Sequence, residues 1–283
     1  MHFPPEITPF AHRYGPVAVI AGASEGIGAS FARALAEAGL DLVLVARRAE
    51  PLETLAEEIR SHSGVTVRTA ICDLADERAI DMVYETCRGL EVGLLIYNAA
   101  SSSVGRFLET PIDDHLRAIH VNARGPVVLA HRFGKGMAAR GRGGMVFMSS
   151  LTAFQGTPLV ATYGATKAFN LVFAEGIWSE LGECGVDVVA CCAGATLTPG
   201  YERATPDRER GRIAFAPSPQ PPDDVAREAL AALGRGPSVV TGRGNRFVSF
   251  MMRRVFSRRL AVTTMAKAMR DRYGPTAPTD PRP

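Results

Sequence analysis

Short apolar runs alternate with amphipathic stretches from residue 17 to about residue 241, and few folds are compatible with this alternation. The apolar runs have the length of buried strands, and the stretches between them have the 3.6-residue periodicity of helices. Strands that are apolar on both faces and joined through helices form a parallel sheet covered on both sides. Because such crossovers are right-handed, the sequence predicts an α/β, Rossmann-type doubly wound sheet.

The same patterns give the approximate bounds of each element. The sequence predicts strands over residues 17–21, 42–46, 65–71, 93–97, 144–149, 186–192 and 238–241. It predicts helices over residues 27–38, 51–60, 79–87, 112–132, 162–181 and 223–233.

The chain divides into three parts. The 283 residues suit one large α/β domain, which we place at 1–242. Within it, residues 195–222 are rich in Pro, Arg and Gly without a regular period, which predicts a substrate lid. A basic helical extension over 243–273 and a flexible, Pro-rich tail over 274–283 follow.

Composition narrows the classes of protein. Hydrophobic residues make up 46% of the chain, charged residues 22%, and the net charge is +3, which predicts a globular protein without a nucleic-acid partner. Five cysteines without C-x-x-C spacing, and histidines without ligand spacing, indicate neither disulfides nor a metal site. With no signal-peptide pattern and no spanning run, we expect a cytoplasmic protein.

The basic extension carries an amphipathic pattern. Its apolar positions are Val248, Met251, Met252, Val255 and Phe256, and arginines occupy the polar side. Such a helix could lie on an anionic membrane surface. The alternatives are packing on the domain, packing on a second subunit, or closing the substrate pocket, and we favour these over membrane contact.

A glycine-rich turn follows the first predicted strand. Gly22, Gly26 and Gly28 have the spacing G-x-x-x-G-x-G, and a helix begins directly after them. Glycines allow the backbone to approach a pyrophosphate closely, and the helix N-terminus attracts its charge. The turn therefore predicts a dinucleotide site.

Arg47 and Arg48 end the second predicted strand, where an acidic residue would bind the ribose of NAD. Guanidinium groups attract a 2′-phosphate and can bind it through two hydrogen bonds. The pair therefore predicts NADP(H), with Arg47 as the preferred contact. Asp73, after the third strand, is placed to reach the adenine.

Tyr163 and Lys167 are four residues apart on one predicted helix face. A free tyrosine has a pKa of about 10, and a nearby ammonium lowers that value towards neutrality. Ser150 ends a predicted strand, thirteen positions before Tyr163, and its hydroxyl can bind a substrate oxygen on which charge develops. These residues predict proton exchange with an alcohol or ketone.

Together these motifs resemble the short-chain dehydrogenase/reductase family, from about residue 14 to residue 241. The order and spacing of the glycine loop, Asp73, Asn98-Ala99-Ala100, Asn122, Ser150, Tyr163, Lys167 and the segment 194–198 carry the resemblance. Two departures stand out, because the family's N-N-A-G reads Tyr97-Asn98-Ala99-Ala100 and its Pro-Gly reads Ala193-Gly194.

The resemblance implies a role for each matching residue. Tyr163 would be the general acid/base, Ser150 would position the carbonyl, Lys167 would bind the nicotinamide ribose, and Asn122 would hold a water in a proton relay. The cofactor would contact a larger set, comprising Gly22, Ser24, Gly26, Ile27, Gly28, Arg47, Arg48, Asp73, Leu74, Asn98, Ala99, Tyr163, Lys167, Gly194, Thr196 and Thr198.

The implied function is NADP(H)-dependent oxidation of a hydrophobic secondary alcohol or reduction of the ketone by a homodimer or homotetramer. Within the family the motifs look most similar to bacterial hydroxysteroid dehydrogenases, so a steroid substrate is one hypothesis. Reduction of a 3-oxoacyl thioester uses the same residues and stays open. A third alternative is an NADP(H)-sensing protein without turnover, although a sensor needs no proton relay.

Overall fold

The computed structural model describes residues 7–204 and 217–273, and its centre is a seven-stranded, wholly parallel sheet. The strand order is β3-β2-β1-β4-β5-β6-β7, which confirms the predicted doubly wound topology. The strands are β1 Val17–Ala21, β2 Asp41–Ala46, β3 Val67–Ile71, β4 Val92–Tyr97, β5 Gly143–Ser150, β6 Val186–Ala193 and β7 Ser238–Val240.

Helices connect the strands and cover both faces. They are α1 Ile7–Tyr14, α2 Gly26–Glu37, α3 Ala49–Ser63, α4 Glu77–Thr86, α5 Ile112–Ile119, α6 Gly125–Arg140, α7 Ala161–Gly182, α8 Pro199–Ala204, α9 Pro222–Ala232, α10 Arg243–Phe250 and α11 Arg258–Tyr273. The sequence patterns missed α1 and α8. The long helix predicted at 112–132 extends to Arg140 and contains a π-helical turn, His120–Arg124, between α5 and α6.

The two faces of the sheet form two apolar cores. In β1, Ala18 and Ile20 face one core, and Val17 and Val19 face the other. All five β1 residues are buried, because this strand lies between β2 and β4 with helices on both sides. Burial on both faces explains why the central strands are continuous apolar runs rather than alternating ones.

The strand registers place the strand ends along one edge. Ala21 pairs with Val45 of β2 and with Tyr97 of β4, and Ser150 pairs with Ala193 at the ends of β5 and β6. The glycine turn and the Tyr97-Asn98 segment therefore follow neighbouring strands at the same edge. This is the edge at which doubly wound sheets bind ligands.

The basic extension packs on the domain instead of forming one straight helix. α10 continues into a π-helical turn, Met251–Val255, and the chain bends before α11. Arg258 donates a hydrogen bond to the Phe154 carbonyl at 2.5 Å, and the Arg253 guanidinium lies 4.4 Å from the centre of the Phe154 ring. These contacts favour the packing interpretation over membrane contact. Across the described ranges, no helix has the length and apolar character needed to cross a bilayer.

The predicted lid is described at its two ends. Thr196 forms an isolated parallel bridge with Gln220, and the Leu197 amide donates to the Gln220 carbonyl at 2.8 Å. α8 occupies part of the first end. Residues 205–216 of the predicted lid and the predicted tail at 274–283 lie outside the described residues.

Burial predicts how the free energy of unfolding responds to core truncation. Leu35 is fully buried on α2, whereas Leu108 is 91% exposed. Leu35→Ala should lower the free energy of unfolding by about 2–5 kcal/mol, because it leaves a cavity. Leu108→Ala makes the same chemical change and should alter it by no more than about 0.5 kcal/mol. Urea unfolding of both variants measures the difference, and equal losses would contradict this assignment of the core.

Candidate active site

The glycine turn is packed so tightly that its glycines have no room for a side chain. A Cβ on Gly22, which has φ +82°, would lie 2.6 Å from the Ala99 Cα. A Cβ on Gly28 would lie 2.0 Å from the Gly22 carbonyl oxygen. A Cβ on Gly26 would lie 2.7 Å from Cγ2 of Thr198. The glycines thus bring the turn against the ends of β4 and β6, and α2 starts directly behind it.

A groove of about 540 Å³ runs along this edge, and we call it the glycine-loop groove. Its walls come from the turns after β1, β2, β3 and β4 and from the segment that leads into α8. It is lined by Gly22, Ser24, Glu25, Gly26, Ile27, Val45, Ala46, Arg47, Arg48, Cys72, Asp73, Leu74, Asn98, Ala99, Ala100, Ser101, Arg117, Val121, Thr198, Gly200 and Arg203.

Most of the predicted cofactor residues line this groove, but five do not: Gly28, Tyr163, Lys167, Gly194 and Thr196. Gly28 lies behind the turn. A Cβ on Gly194 would lie 2.5 Å from the Asn245 side chain, so this glycine is required by the packing of α10. Thr196 is buried, and its hydroxyl donates to the Gly194 carbonyl at 3.2 Å.

At the far end of the groove, Asp73 is paired with an arginine that the sequence analysis did not identify. Arg117 of α5 donates to Asp73 Oδ2 at 2.6 Å. Burial would raise the pKa of Asp73, but the Ala75 amide and Arg117 outweigh it and hold the pKa below its usual value. Asp73 is therefore a charged acceptor at the wall of the groove. Arg117, Glu25 and Arg203 escaped sequence analysis because each depends on a partner distant in the chain.

In the Tyr97-Asn98 segment, Tyr97 departs from the family's N-N-A-G motif and Asn98 matches it. Asn98 Nδ2 donates to the Gly22 carbonyl at 2.8 Å, which fastens the glycine turn to the end of β4. The buried Tyr97 hydroxyl donates to the Val121 carbonyl at 2.5 Å, inside the π-helical turn. A Cβ at Gly125 would lie 2.0 Å from that hydroxyl, so Tyr97 and Gly125 are matched in size.

The π-helical turn holds Asn122, which is fully buried. Its Oδ1 accepts from the Ser101 amide at 2.7 Å, and its Nδ2 donates to the Ser101 carbonyl at 2.8 Å and to Thr166 Oγ1 at 3.0 Å. The side chain therefore ties the loop after β4 to α7. Insertions of this type are frequent at functional sites.

Ser150, Tyr163 and Lys167 converge at the ends of β5 and α7. The Ser150 side chain lies close enough to Tyr163 to lower the pKa of its phenol. Lys167 is buried, its Nζ lies 5.6 Å from the centre of the Tyr163 ring, and it donates to the Met148 carbonyl at 2.7 Å. These three predicted residues thus lie in one cluster.

The electrostatics of Tyr163 differ from the sequence-based expectation. We expected Lys167 to lower its pKa. Burial raises the pKa of Tyr163 most, the neighbouring Ser150 side chain lowers it, and Tyr273 of α11 raises it, with a net increase. The main reason is burial of the phenol, and the Lys167 ammonium donates its hydrogen bond to the Met148 carbonyl.

Lys167 is the second strongly perturbed group. Burial lowers its pKa to about 8, although the neighbouring Cys191 and Cys192 oppose the shift. The five cysteines are free thiols. In the described part of the chain, no group of three His, Cys, Asp or Glu side chains is arranged as metal ligands would be.

Comparison with known proteins places this arrangement in a family. The family model for short chain dehydrogenases matches residues 16–209. The chain belongs to the short-chain dehydrogenase family. The match includes the glycine turn, the π-helical turn and the Ser150, Tyr163 and Lys167 cluster.

Two curated relatives show the range of activities among similar proteins. A 7beta-hydroxysteroid dehydrogenase from Collinsella aerofaciens is 34% identical over 238 residues, which cover 83% of this chain and 89% of the relative. A very-long-chain 3-oxoacyl-CoA reductase from Aspergillus clavatus is 37% identical over 178 residues, which cover 62% of this chain and 52% of the relative.

Solved structures agree with this family membership. The structure of a 7beta-hydroxysteroid dehydrogenase superposes with a TM-score of 0.85 at 31% identity and covers 90% of this chain and 98% of its own. A short-chain dehydrogenase from Sphingobium yanoikuyae in complex with NADPH has a TM-score of 0.71 at 33% identity. The match covers 80% of this chain and 87% of the Sphingobium chain. The chain is therefore similar to hydroxysteroid dehydrogenases in sequence and in fold.

The perturbed pKa of Lys167 predicts a pH dependence of stability. Below pH 8 the buried amine is charged in the folded protein and disfavours folding. Between pH 8 and the ordinary lysine pKa of about 10.4, the unfolded chain binds one more proton at this position, so the free energy of unfolding should rise with pH. Relative to Lys167→Met, wild type should gain up to about 1.4 kcal/mol per pH unit in this window.

Urea unfolding without cofactor at pH 7–10 measures this difference. Lys135→Met on α6 removes an exposed lysine and should give a curve parallel to wild type. A wild-type curve parallel to that of Lys167→Met would show that the Lys167 amine does not change its protonation in this range.

Proposed function

We propose that the protein is an NADP(H)-dependent oxidoreductase that interconverts a hydrophobic secondary alcohol and its ketone. The observation that carries the proposal is the convergence of Ser150, Tyr163 and the buried Lys167 at the end of β5 and the start of α7. This cluster lies at the same sheet edge as a glycine-rich groove with arginines in its wall. Membership of the short-chain dehydrogenase family supports the same chemistry.

The glycine-loop groove fits the proposed cofactor. Gly22 and Gly26 line the groove at the N-terminus of α2, where glycines allow a pyrophosphate to approach the backbone. Arg47 and Arg48 lie at the groove wall and provide the positive charge that a 2′-phosphate needs. We assign Asp73 to the adenine and Thr198 to the nicotinamide end. The NADPH complex of a similar enzyme supports this choice.

When bound, NADP(H) would exchange a hydride with the substrate carbon, and the protein would supply the rest. Tyr163 would donate a proton to the substrate oxygen during reduction and accept it during oxidation. Ser150 would hold that oxygen through its hydroxyl. Lys167 would hold the nicotinamide ribose, and the positive charge of the oxidised nicotinamide would oppose the burial that raises the Tyr163 pKa.

Asn122 would position the residues around it. Its side chain fixes Ser101 and Thr166, so it keeps the loop after β4 against α7 beside Lys167. From the family resemblance we assign it the water of the proton relay. Gly194 and Thr196 would support the nicotinamide end indirectly, by fixing the chain that leads to Thr198.

The substrate class follows from the relatives and from the C-terminal extension. The relatives with the broadest coverage include 7beta-hydroxysteroid dehydrogenases. Val262 of α11 would lie 3.7 Å from a Cβ on Gly156, and Tyr273 lies close enough to influence the pKa of Tyr163. The extension therefore flanks the segment after Ser150. We propose that it forms one wall of a hydrophobic substrate site, with a hydroxysteroid or oxosteroid as the first candidate.

One other enzymatic function is favoured by a specific observation. The similarity to very-long-chain 3-oxoacyl-CoA reductases supports reduction of a 3-oxoacyl thioester, which needs the same serine, tyrosine and lysine. A cofactor-sensing role without turnover is disfavoured, because a sensor needs no buried lysine beside a tyrosine.

We also propose that the protein is a homodimer or homotetramer. Ile112, Leu116 and Ile119 expose an apolar stripe on α5, and Phe169 and Val172 are exposed on the neighbouring α7. Apolar surface of this extent on adjacent helices indicates a partner, and a second copy of this chain is the proposed one.

The substrate proposal predicts the outcome of a cofactor and substrate panel. Oxidation of NADPH should be measured with oxosteroids, aryl ketones and 3-oxoacyl thioesters, and reduction of NADP⁺ with hydroxysteroids. NAD(H) serves as the control cofactor in each reaction. Turnover of a steroid with a clear preference for NADP(H) is expected. Turnover of thioesters alone would favour the second function, and a preference for NAD(H) would contradict the role of the arginines.

The tyrosine proposal predicts a separation of binding from turnover. Tyr163→Phe removes only the hydroxyl and should lower kcat by a factor of about 10²–10⁴, because the proton donor is lost. NADPH affinity should change little, since Tyr163 does not line the glycine-loop groove. Tyr84→Phe on α4 is the matched control, because its side chain is exposed outside the groove. Unchanged kcat in Tyr163→Phe would remove this residue from its proposed role.

A further inference from the structure

Glu25 lies in the glycine turn, and its carboxylate binds two arginines from different parts of the chain. Arg48, after β2, contacts Glu25 Oε2 at 2.7 Å. Arg203, on α8, contacts Glu25 Oε1 at 2.5 Å and Oε2 at 3.3 Å. Glu25, Arg48 and Arg203 all line the glycine-loop groove, and we call them the groove triad.

The Glu25 carboxylate does not cap helix α2. Glu25 is the residue that precedes α2, where short side chains such as Ser and Asp commonly accept a hydrogen bond from a helix amide. Its side chain makes no such bond. Its contacts are instead with the two arginines, which fix the carboxylate at the wall of the groove.

Glu25 is charged in this environment. Burial would raise its pKa, but the hydrogen bonds and charges of Arg203 and Arg48 outweigh burial and hold the pKa below its usual value. A negative charge thus faces the groove at neutral pH. Any anion that binds Arg48 must approach this charge and must use a guanidinium that Glu25 already occupies.

The charges around the triad match a phosphate monoester. Arg47, Arg48 and Arg203 provide three positive charges against the one negative charge of Glu25, and Asp73 is neutralised by Arg117. The net excess of two positive charges is close to the charge of about −1.5 to −2 on a phosphate monoester near neutral pH. The triad therefore attracts the 2′-phosphate but weakens its binding relative to two unoccupied arginines.

We propose that Glu25 is a specificity-determining residue, which competes with the 2′-phosphate of NADP(H) for Arg48 and thereby limits how tightly the cofactor binds. This inference depends on the proposed NADP(H) function. Arg203 is the second part of the arrangement. When Arg48 binds the phosphate, Arg203 keeps the carboxylate paired, so the exchange leaves no charge without a partner.

A positioning role for Glu25 makes the opposite prediction. If the carboxylate served to orient Arg48 towards the phosphate, its removal would weaken NADPH binding. Competition and positioning therefore differ in the sign of one measured change, and a conservative substitution can separate them.

The test compares dissociation constants for NADPH and NADH, measured from the fluorescence of the reduced nicotinamide. Glu25→Gln keeps the size of the side chain and should tighten NADPH binding about 3–10-fold, because Arg48 is released from the competing carboxylate. NADH lacks the 2′-phosphate, so its dissociation constant should change by less than about twofold. Raising the salt concentration to about 0.5 M should reduce the gain, because salt screens partly exposed charges.

Two further variants control for charge and for the partner. Glu58 forms an equivalent ion pair with Arg33, at 2.6 and 2.8 Å, outside the groove, so Glu58→Gln should leave both dissociation constants unchanged. In an Arg48→Met background the Glu25→Gln gain should disappear, because the shared guanidinium is absent. Arg203→Gln should weaken NADPH binding, because Glu25 then retains Arg48 as its only partner within the triad.

The outcomes separate this inference from the function on which it rests. If wild type prefers NADH, the proposed cofactor is wrong, whatever the variants do. If wild type prefers NADPH but Glu25→Gln weakens that binding or leaves it unchanged, the cofactor proposal stands and the competition is refuted. An equal gain in the Arg48→Met background would also refute it, since Glu25 would then act on the phosphate without Arg48.

Discussion

The close approach of the glycine turn to the end of β4 is the constraint on which the site depends. Gly22 touches the Ala99 backbone, and Asn98 donates to the Gly22 carbonyl. Gly28 lies so near the same carbonyl that any side chain would separate α2 from the turn. These contacts set the position of the α2 N-terminus relative to the sheet edge. Because they fix both the glycine turn and the Asn98-Ala99 segment, they also fix two walls of the glycine-loop groove.

The second group of constraints connects this edge to the tyrosine cluster. Tyr97 is the last residue of β4, and its hydroxyl binds the Val121 carbonyl in the π-helical turn. Within this π-helical turn, the Asn122 side chain forms hydrogen bonds with Ser101 and Thr166. Tyr97, one of the two residues that depart from the family's N-N-A-G motif, thus has a defined structural role, made possible by Gly125. One chain of contacts runs from the glycine turn to α7.

Sequence periodicity predicted the sheet, its parallel order and most helices, because a strand buried on both faces and an amphipathic helix each leave a local pattern. It could not predict α8, which is short and lies in an aperiodic segment, or the π-helical turn inside a continuous apolar period. Gly194 was assigned to the cofactor by its position in a motif, yet it packs against Asn245, some fifty residues later. Contacts between distant residues, such as Arg117 with Asp73, leave no pattern in either segment alone.

The charges and pKa values of the site were also beyond prediction from sequence patterns. The two ends of the site differ in how strongly burial affects their charged groups. Around Glu25, the charges of Arg48 and Arg203 are partly exposed, and water screens them. At the tyrosine end, burial dominates, since it lowers the pKa of Lys167 and raises that of Tyr163. A helix spacing of four residues indicates proximity, but it does not reveal that Lys167 gives its hydrogen bond to the Met148 carbonyl. Burial therefore favours the protonated form of Tyr163, an effect that the spacing of the two residues does not reveal.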